Sequence, residues 1–224
     1  MDWSTIAQLA QDAFRTGVND WIGRARLQGG TIRGPTAHLT PGTLVSAANI
    51  EASVSQSLVG SKVPTEIAWA LAKVLATAWN DWASGFQIVI PLAYPSFAAF
   101  PGPSAPPMPA QAISVAQGNS AGEASLNAVL LTNKLLGAVL AHAAKADGGD
   151  LDAAMSSLGT WIESSFNEWK SMTKIVGLQG SGGVPTFAPP YVPVGSVMGG
   201  MNVTVGTLFA GPRFGKIVIQ PQQR

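Results

Sequence analysis

The sequence predicts a mainly α fold with minor β: repeated antiparallel helix pairs, each followed by a short strand and a long Pro/Gly-rich arm. Three observations carry this. A helix ends three times in Asn, an acid and Trp, as Val18-Asn19-Asp20-Trp21, Trp79-Asn80-Asp81-Trp82 and Phe166-Asn167-Glu168-Trp169. Counting back from the final Trp, the copies align: a large apolar group three before (Val18, Trp79, Phe166), a small residue four before (Gly17, Ala78, Ser165), and Phe14, Leu75 or Ile162 seven before. That i, i+3, i+4, i+7 stripe buries one face of a helix. Finally, each copy runs on into a Gly/Pro-rich segment, marked by Thr40-Pro41-Gly42, Phe100-Pro101-Gly102 and Pro193-Val194-Gly195. A degenerate internal repeat follows, with a truncated first unit at 1–44, a second at 45–118 and a third at 119–224.

In chain order, the first helix is expected from Ser4 to Arg26, capped by Asp2 or Ser4 and stopped by Gly29-Gly30. Thr31–Arg33 reads as a short strand. A helix near Val45–Leu58 precedes a break at Gly60-Ser61. Pro64 then opens a long helix to Ser84, since the first turn does not need its missing N–H. The β-branched run Phe86–Ile90 reads as a strand, and a Pro-rich tract follows to Pro109. Ser120 and Glu123 have the spacing of a capping box, which places a helix start there and a helix to Lys145. Asp150 is expected to cap the next helix, whose stripe is Leu151, Met155, Leu158, Ile162, Phe166 and Trp169. Lys174–Val176 reads as a strand, and Val203–Phe209 with Lys216–Ile219 as a hairpin across Gly211-Pro212.

A chain of 224 residues can bury a sizeable core. Charged residues are only 11% of it, against roughly 25% in ordinary soluble domains. The formal net charge of +1 leaves no basic excess to neutralise phosphates along a duplex, so nucleic acid is not an expected partner. Cysteine is absent, which removes thiol chemistry and leaves the redox compartment open. The first residues lack the basic and apolar regions of a secretory leader. The most apolar stretch, Leu126–Ala144, carries Asn127, Asn133, Lys134 and His142 and reads as a core helix instead of a membrane span. Particle-associated or otherwise cytoplasmic placement is the expectation.

Two tracts, Trp82–Gly122 and Ile175–Pro212, contain no charged residue at all. Long loops are normally polar, and disordered ones are poor in aromatics, yet these hold Phe86, Tyr94, Phe97, Phe100, Phe187, Tyr191 and Phe209. They are therefore expected to be ordered against apolar surface. An intramolecular wrap would bury unpaired backbone groups, so packing on neighbouring subunits is preferred and these seven aromatics are the expected contact residues.

Chemistry is poorly represented. Gly118-Asn119-Ser120-Ala121-Gly122 has the spacing of a nucleophile elbow, but His142 lies along the helix expected from Ser120 and His38 precedes it in the chain. A cap explains Ser120 without catalysis. Asp147–Asp152 is calcium-loop-like only in composition. Two histidines and no thiols do not make a zinc site. No cofactor is expected. The Asn-acid pairs Asn19/Asp20, Asn80/Asp81 and Asn167/Glu168, each followed by Trp21, Trp82 or Trp169, are expected to bond the backbone of the following loop and set its exit direction.

The functional expectation is a non-enzymatic structural subunit of a large assembly of the virion or phage-tail type, with copies of itself and other subunits as partners. The alternatives are a membrane-associated protein inserting its 86–100 arm, and a hydrolase using Ser120.

Overall fold

A computed structural model of the chain describes residues 2–142, 148–190 and 194–216. The described residues are about 49% helix and 25% strand, built on a large antiparallel sheet, which corrects the expectation of a mainly α fold with minor β. In order, the elements are α1 (Trp3–Arg24), β1 (Ala25–Arg33), β2 (Thr36–Leu39), β3 (Leu44–Ser46), α2 (Ile50–Gly60), α3 (Thr65–Gly85), β4 (Phe86–Ile90), β5 (Ser104–Pro109), β6 (Ile113–Ser114), β7 (Asn119–Ser120), α4 (Ala128–Leu140), α5 (Gly148–Met172), β8 (Lys174–Ile175), β9 (Leu178–Gly183), β10 (Met198–Thr204) and β11 (Phe209–Ala210).

The helices follow the apolar stripe. Asp2 caps α1, accepting from the Ser4 and Thr5 N–H groups, which satisfies donors that a helix start leaves orphaned. All twelve stripe positions of the three motif copies are buried. Their aromatic members converge in one cluster with Trp79 at its centre. Its ring lies 5.5 Å from Trp21, 5.0 Å from Trp82 and 5.6 Å from Trp169, and it meets Phe166 edge-on at 6.3 Å. Aromatic pairs in such tilted and T-shaped arrangements contribute about 0.5–1.5 kcal/mol each beyond the area they bury. The repeated motif is thus the means by which three helices are pinned to one point.

Two helix starts differ from expectation. Ser120 lies in β7, and α4 begins at Ala128 under Asn127, whose side chain accepts from the Val129 and Leu130 N–H groups. Glu123 does not close a capping box. Its carboxylate takes both bonds from Lys170 Nζ, at 2.7 and 2.6 Å, and ties the short 3₁₀ turn Glu123–Leu126 to α5. Asp150 falls inside α5, which already starts at Gly148.

Helices and sheet meet end to end. α1 passes directly into β1 and α3 into β4, each through an extended residue at the helix end. The strands lie in the order β5-β9-β10-β1-β2-β4-β7, with β3 also on β1. A second, small sheet runs β11-β8-β6. Gly29 and Gly30 do not end α1; both take positive φ and bulge β1 in mid-course. Before the bulge β1 pairs with β3, and after it with β2. Glycine is what makes that bend affordable, because a bulge residue at positive φ would strain any Cβ. Segments 1–44, 45–118 and 119–224 all contribute strands to this one sheet.

The uncharged tracts order each other. β5 from the first pairs with β9 from the second, and Phe100 bridges to Gly195. Around them, Ala93 N–H donates to Pro35 O, Gln111 N–H to Ala93 O, Val184 N–H to Pro103 O and Val197 N–H to Phe97 O. The backbone groups that would have been costly to bury are therefore satisfied within the chain, which removes the objection to an intramolecular wrap. Asn202 and Tyr94 join the two tracts side chain to side chain in the core: the Tyr94 hydroxyl donates to Asn202 Oδ1. Both residues are buried. Val203–Thr204 belongs to β10 and Phe209 pairs with Ile175 of β8. Beyond Lys216 the expected second hairpin strand lies outside the described residues, as do Tyr191 and Asp147.

Candidate functional site

Strand alternation gives the large sheet two different faces. The inner one carries Ile32, Ala37, Ile88, Ile90 and Leu178, and is roofed by Tyr94, Phe97, Val184 and Val197, all buried. On the outer face the paired registers set Ser181, Met201, Thr31, His38 and Val89 side by side across five strands. Val203 lies opposite Gln28 and Gln179, and Met198 opposite Arg33. Met201 is 61% exposed, Val203 53%, Val89 52% and Met198 49%. Large apolar side chains are thus left in solvent along one face. Single exposed apolar residues need no explanation; here Met198, Met201 and Val203 share β10, while Thr31 and His38 stand between Met201 and Val89.

The charge pattern sharpens this. No strand among the described residues contains an Asp or Glu, while Arg26 and Arg33 project from β1. The carboxylates sit on helices and their flanks, including exposed Glu66 beside Trp69, itself 52% exposed. The sheet edges are closed to lateral growth. β5 at one end has Pro106, Pro107 and Pro109 among its six residues, and β7 at the other has only two. Proline cannot donate to a ladder, so strand addition on β5 is blocked and the face, not the edge, is left for contact.

The sequence-predicted contact residues lie elsewhere. Phe86, Tyr94 and Phe97 are fully buried in the chain's own core, which corrects their assignment to an interface. Phe100, Phe187 and Phe209 are half-buried against that core, Phe209 edge-on to Trp169 at 5.4 Å. Within the 86–100 arm, the exposed large apolar side chains are Val89 and Leu92. Among the described residues no helix is long and apolar enough to cross a membrane. Of the residues that do face outward, Met201 and Val203 belong to the alternation Met201-Asn202-Val203-Thr204 and Met198 precedes it. Two glycines before it hid the strand.

The Asn-acid pairs do not act as a repeated loop anchor. Asn19 reaches a distant segment: its Nδ2 donates to Phe214 O at 3.1 Å, and Phe214 N–H donates to its Oδ1 at 2.9 Å. Asp20 pairs with Arg24 and Asp81 accepts from Ser125 Oγ at 2.8 Å. Among the described residues the side chains of Asn80, Asn167 and Glu168 make no such bond, which corrects the expected common role.

Ser120 is committed to structure. Its hydroxyl donates to Trp82 O at 2.7 Å and accepts from Gly122 N–H at 3.1 Å. His38 is engaged with Thr36 and His142 lies 3.8 Å from Glu66; the hydroxyl of Ser120 has Trp82 O and Gly122 N–H as its partners among the described residues. Among the described residues no group of three or more His, Cys, Asp or Glu is placed to hold a metal ion. No protein family, curated protein or solved structure matches the chain.

Proposed function

We propose that the chain is a non-enzymatic structural subunit of a larger assembly, associating with further copies of itself through the outer face of its sheet. The observation that carries the reading is the exposed trio Met198, Met201 and Val203 on β10, with Val89 beyond two intervening strands, on a face without carboxylates and between two edges that refuse strand addition. A second copy offers the complement. Its helices carry the acids, and Glu66 stands next to an exposed Trp69 that can meet methionine and valine while the carboxylate meets Arg26 or Arg33. Such a sheet-on-helix contact is heterologous, and repeats of it generate rings or filaments. A virion or tail-type particle suits a cysteine-free chain this poor in charge and rich in Gly and Pro.

The test is sedimentation of the purified chain over a concentration series, beside Met201→Asp. The wild type is expected to self-associate as concentration rises, and the variant to stay monomeric with an unchanged circular dichroism spectrum. A wild-type monomer throughout the series would remove the proposal.

A further inference from the structure

Positive charge gathers at one turn that the assembly reading does not use. Phe214 is fully buried, its ring edge-on to Phe14, Trp79 and Trp161 at 5.8, 5.5 and 6.0 Å. Asn19 holds its backbone by two bonds. The next residue, Gly215, has φ +67° and lies between two side chains: a Cβ there would stand 2.8 Å from the Trp161 ring and 3.2 Å from Arg15 Cδ. Residues 213–216 are therefore fixed in place by a buried ring below and a side chain on either flank.

Arg213 and Lys216 leave this anchored turn on either side of Phe214-Gly215 and, with Arg15, Thr16 and Asn19, line a concavity of about 470 Å³. None of its lining residues is acidic. Arg15 is paired with Asp12 at 2.6 Å, so one of the three cations has a counter-charge. Among the described residues Arg213 and Lys216 form no ion pair. Holding like charges around one hollow is unfavourable within a screening length of about 8–10 Å, and an anion in the hollow reverses the sign. Across Gly215 a second hollow of about 500 Å³ begins, lined by Ser156, Ser157, Thr160, Ser164, Glu168 and the Trp161 ring. It is rich in hydroxyls and has one aromatic wall.

We infer that the Arg15–Arg213–Lys216 hollow binds a phosphate-class oxyanion. Guanidinium forks match the paired oxygens of phosphate, and an ammonium adds a third donor. With a formal net charge of only +1, the chain has no extended basic track for a polymer, so the ligand is small: free phosphate, or a phosphorylated sugar whose hydroxyls occupy the Ser/Thr hollow beside Trp161. This inference is independent of the assembly reading.

The test is an NMR titration of the whole chain with inorganic phosphate and, separately, ribose 5-phosphate, against sodium chloride at matched ionic strength. Both phosphates are expected to shift the Gly215 amide and the Arg15 Nε–H saturably. Arg213→Gln combined with Lys216→Gln, two exposed side chains, is expected to weaken binding at least about tenfold. A tighter sugar phosphate that also moves the Trp161 indole assigns the site to a phosphorylated sugar, and equal affinities assign it to free phosphate. Shifts that match chloride, or binding unchanged in the double variant, overturn the inference.

Discussion

Asn19 holds Phe214 by both groups of its backbone, donating a hydrogen bond from Nδ2 to the carbonyl at 3.1 Å and accepting one at Oδ1 from the N–H at 2.9 Å. A side chain near the end of the first helix thereby fastens a segment close to the other end of the chain. Asn19→Ala removes both bonds and leaves two backbone groups short of a partner, at a cost of about 2 kcal/mol. Urea unfolding is the measurement, with an effect below about 0.5 kcal/mol counting against the clamp.

Asn80 and Asn167 occupy the same motif position without such bonds. Their alanine variants are expected to stay within about 0.5 kcal/mol of wild type, the ordinary range for surface changes. Amide exchange in the loops that follow should not change either. Faster exchange there would restore the loop-anchor role that the geometry withholds.

Burial pushes the Tyr94 phenol up from its ordinary 10.0 to about 12. A folded-state value above the unfolded one means the neutral phenol's contribution is complete below pH 10 and is lost as pH climbs through 12. Tyr94→Phe is expected to be about 1–2 kcal/mol less stable at neutral pH, because Asn202 loses its donor. The variant should also decline less steeply than wild type above pH 10. Parallel alkaline declines would show that this phenol does not titrate with unfolding.

Gly180 sits where Ile32 and Tyr94 press on the sheet: a Cβ there would lie 2.5 Å from each. Gly180→Ala therefore overpacks the roof of the inner face and is expected to cost about 1–3 kcal/mol. Pairing the change with Ile32→Val, which withdraws the offending methyl, should recover part of the loss. A neutral Gly180→Ala would mean that the roof gives way easily.

The helices were legible because their information is local. Phe14, Val18 and Trp21, or Leu75, Trp79 and Trp82, recur at the helical period and are buried where that period puts them. The strand Phe86–Ile90 was legible for the same reason. Most of the sheet was not. Ser104–Pro109 holds three prolines, and Leu178–Gly183 and Met198–Thr204 are crowded with glycine, compositions that by propensity belong to loops. Pairing across long sequence distance makes them strands, and glycine at 180 lets Tyr94 approach. Ser120 misled for a related reason: a capping-box spacing was present, but Lys170 competes for Glu123 and Trp82 for the serine. The outward row of Met198, Met201 and Val203 could be read only once the strand itself was recognised.

The register that sets Thr31 beside Met201 has a consequence for how the chain is made. β1 leaves the ribosome well before the β10 strand that flanks it. During translation one side of that nascent strand has no partner, so its N–H and C=O groups stay available to any passing chain. Stop codons introduced between Met172 and Met198 should therefore yield insoluble product even though α1 to α5 have been synthesised, while co-expressed chaperones that shield extended segments should raise the yield of the chain that includes β10.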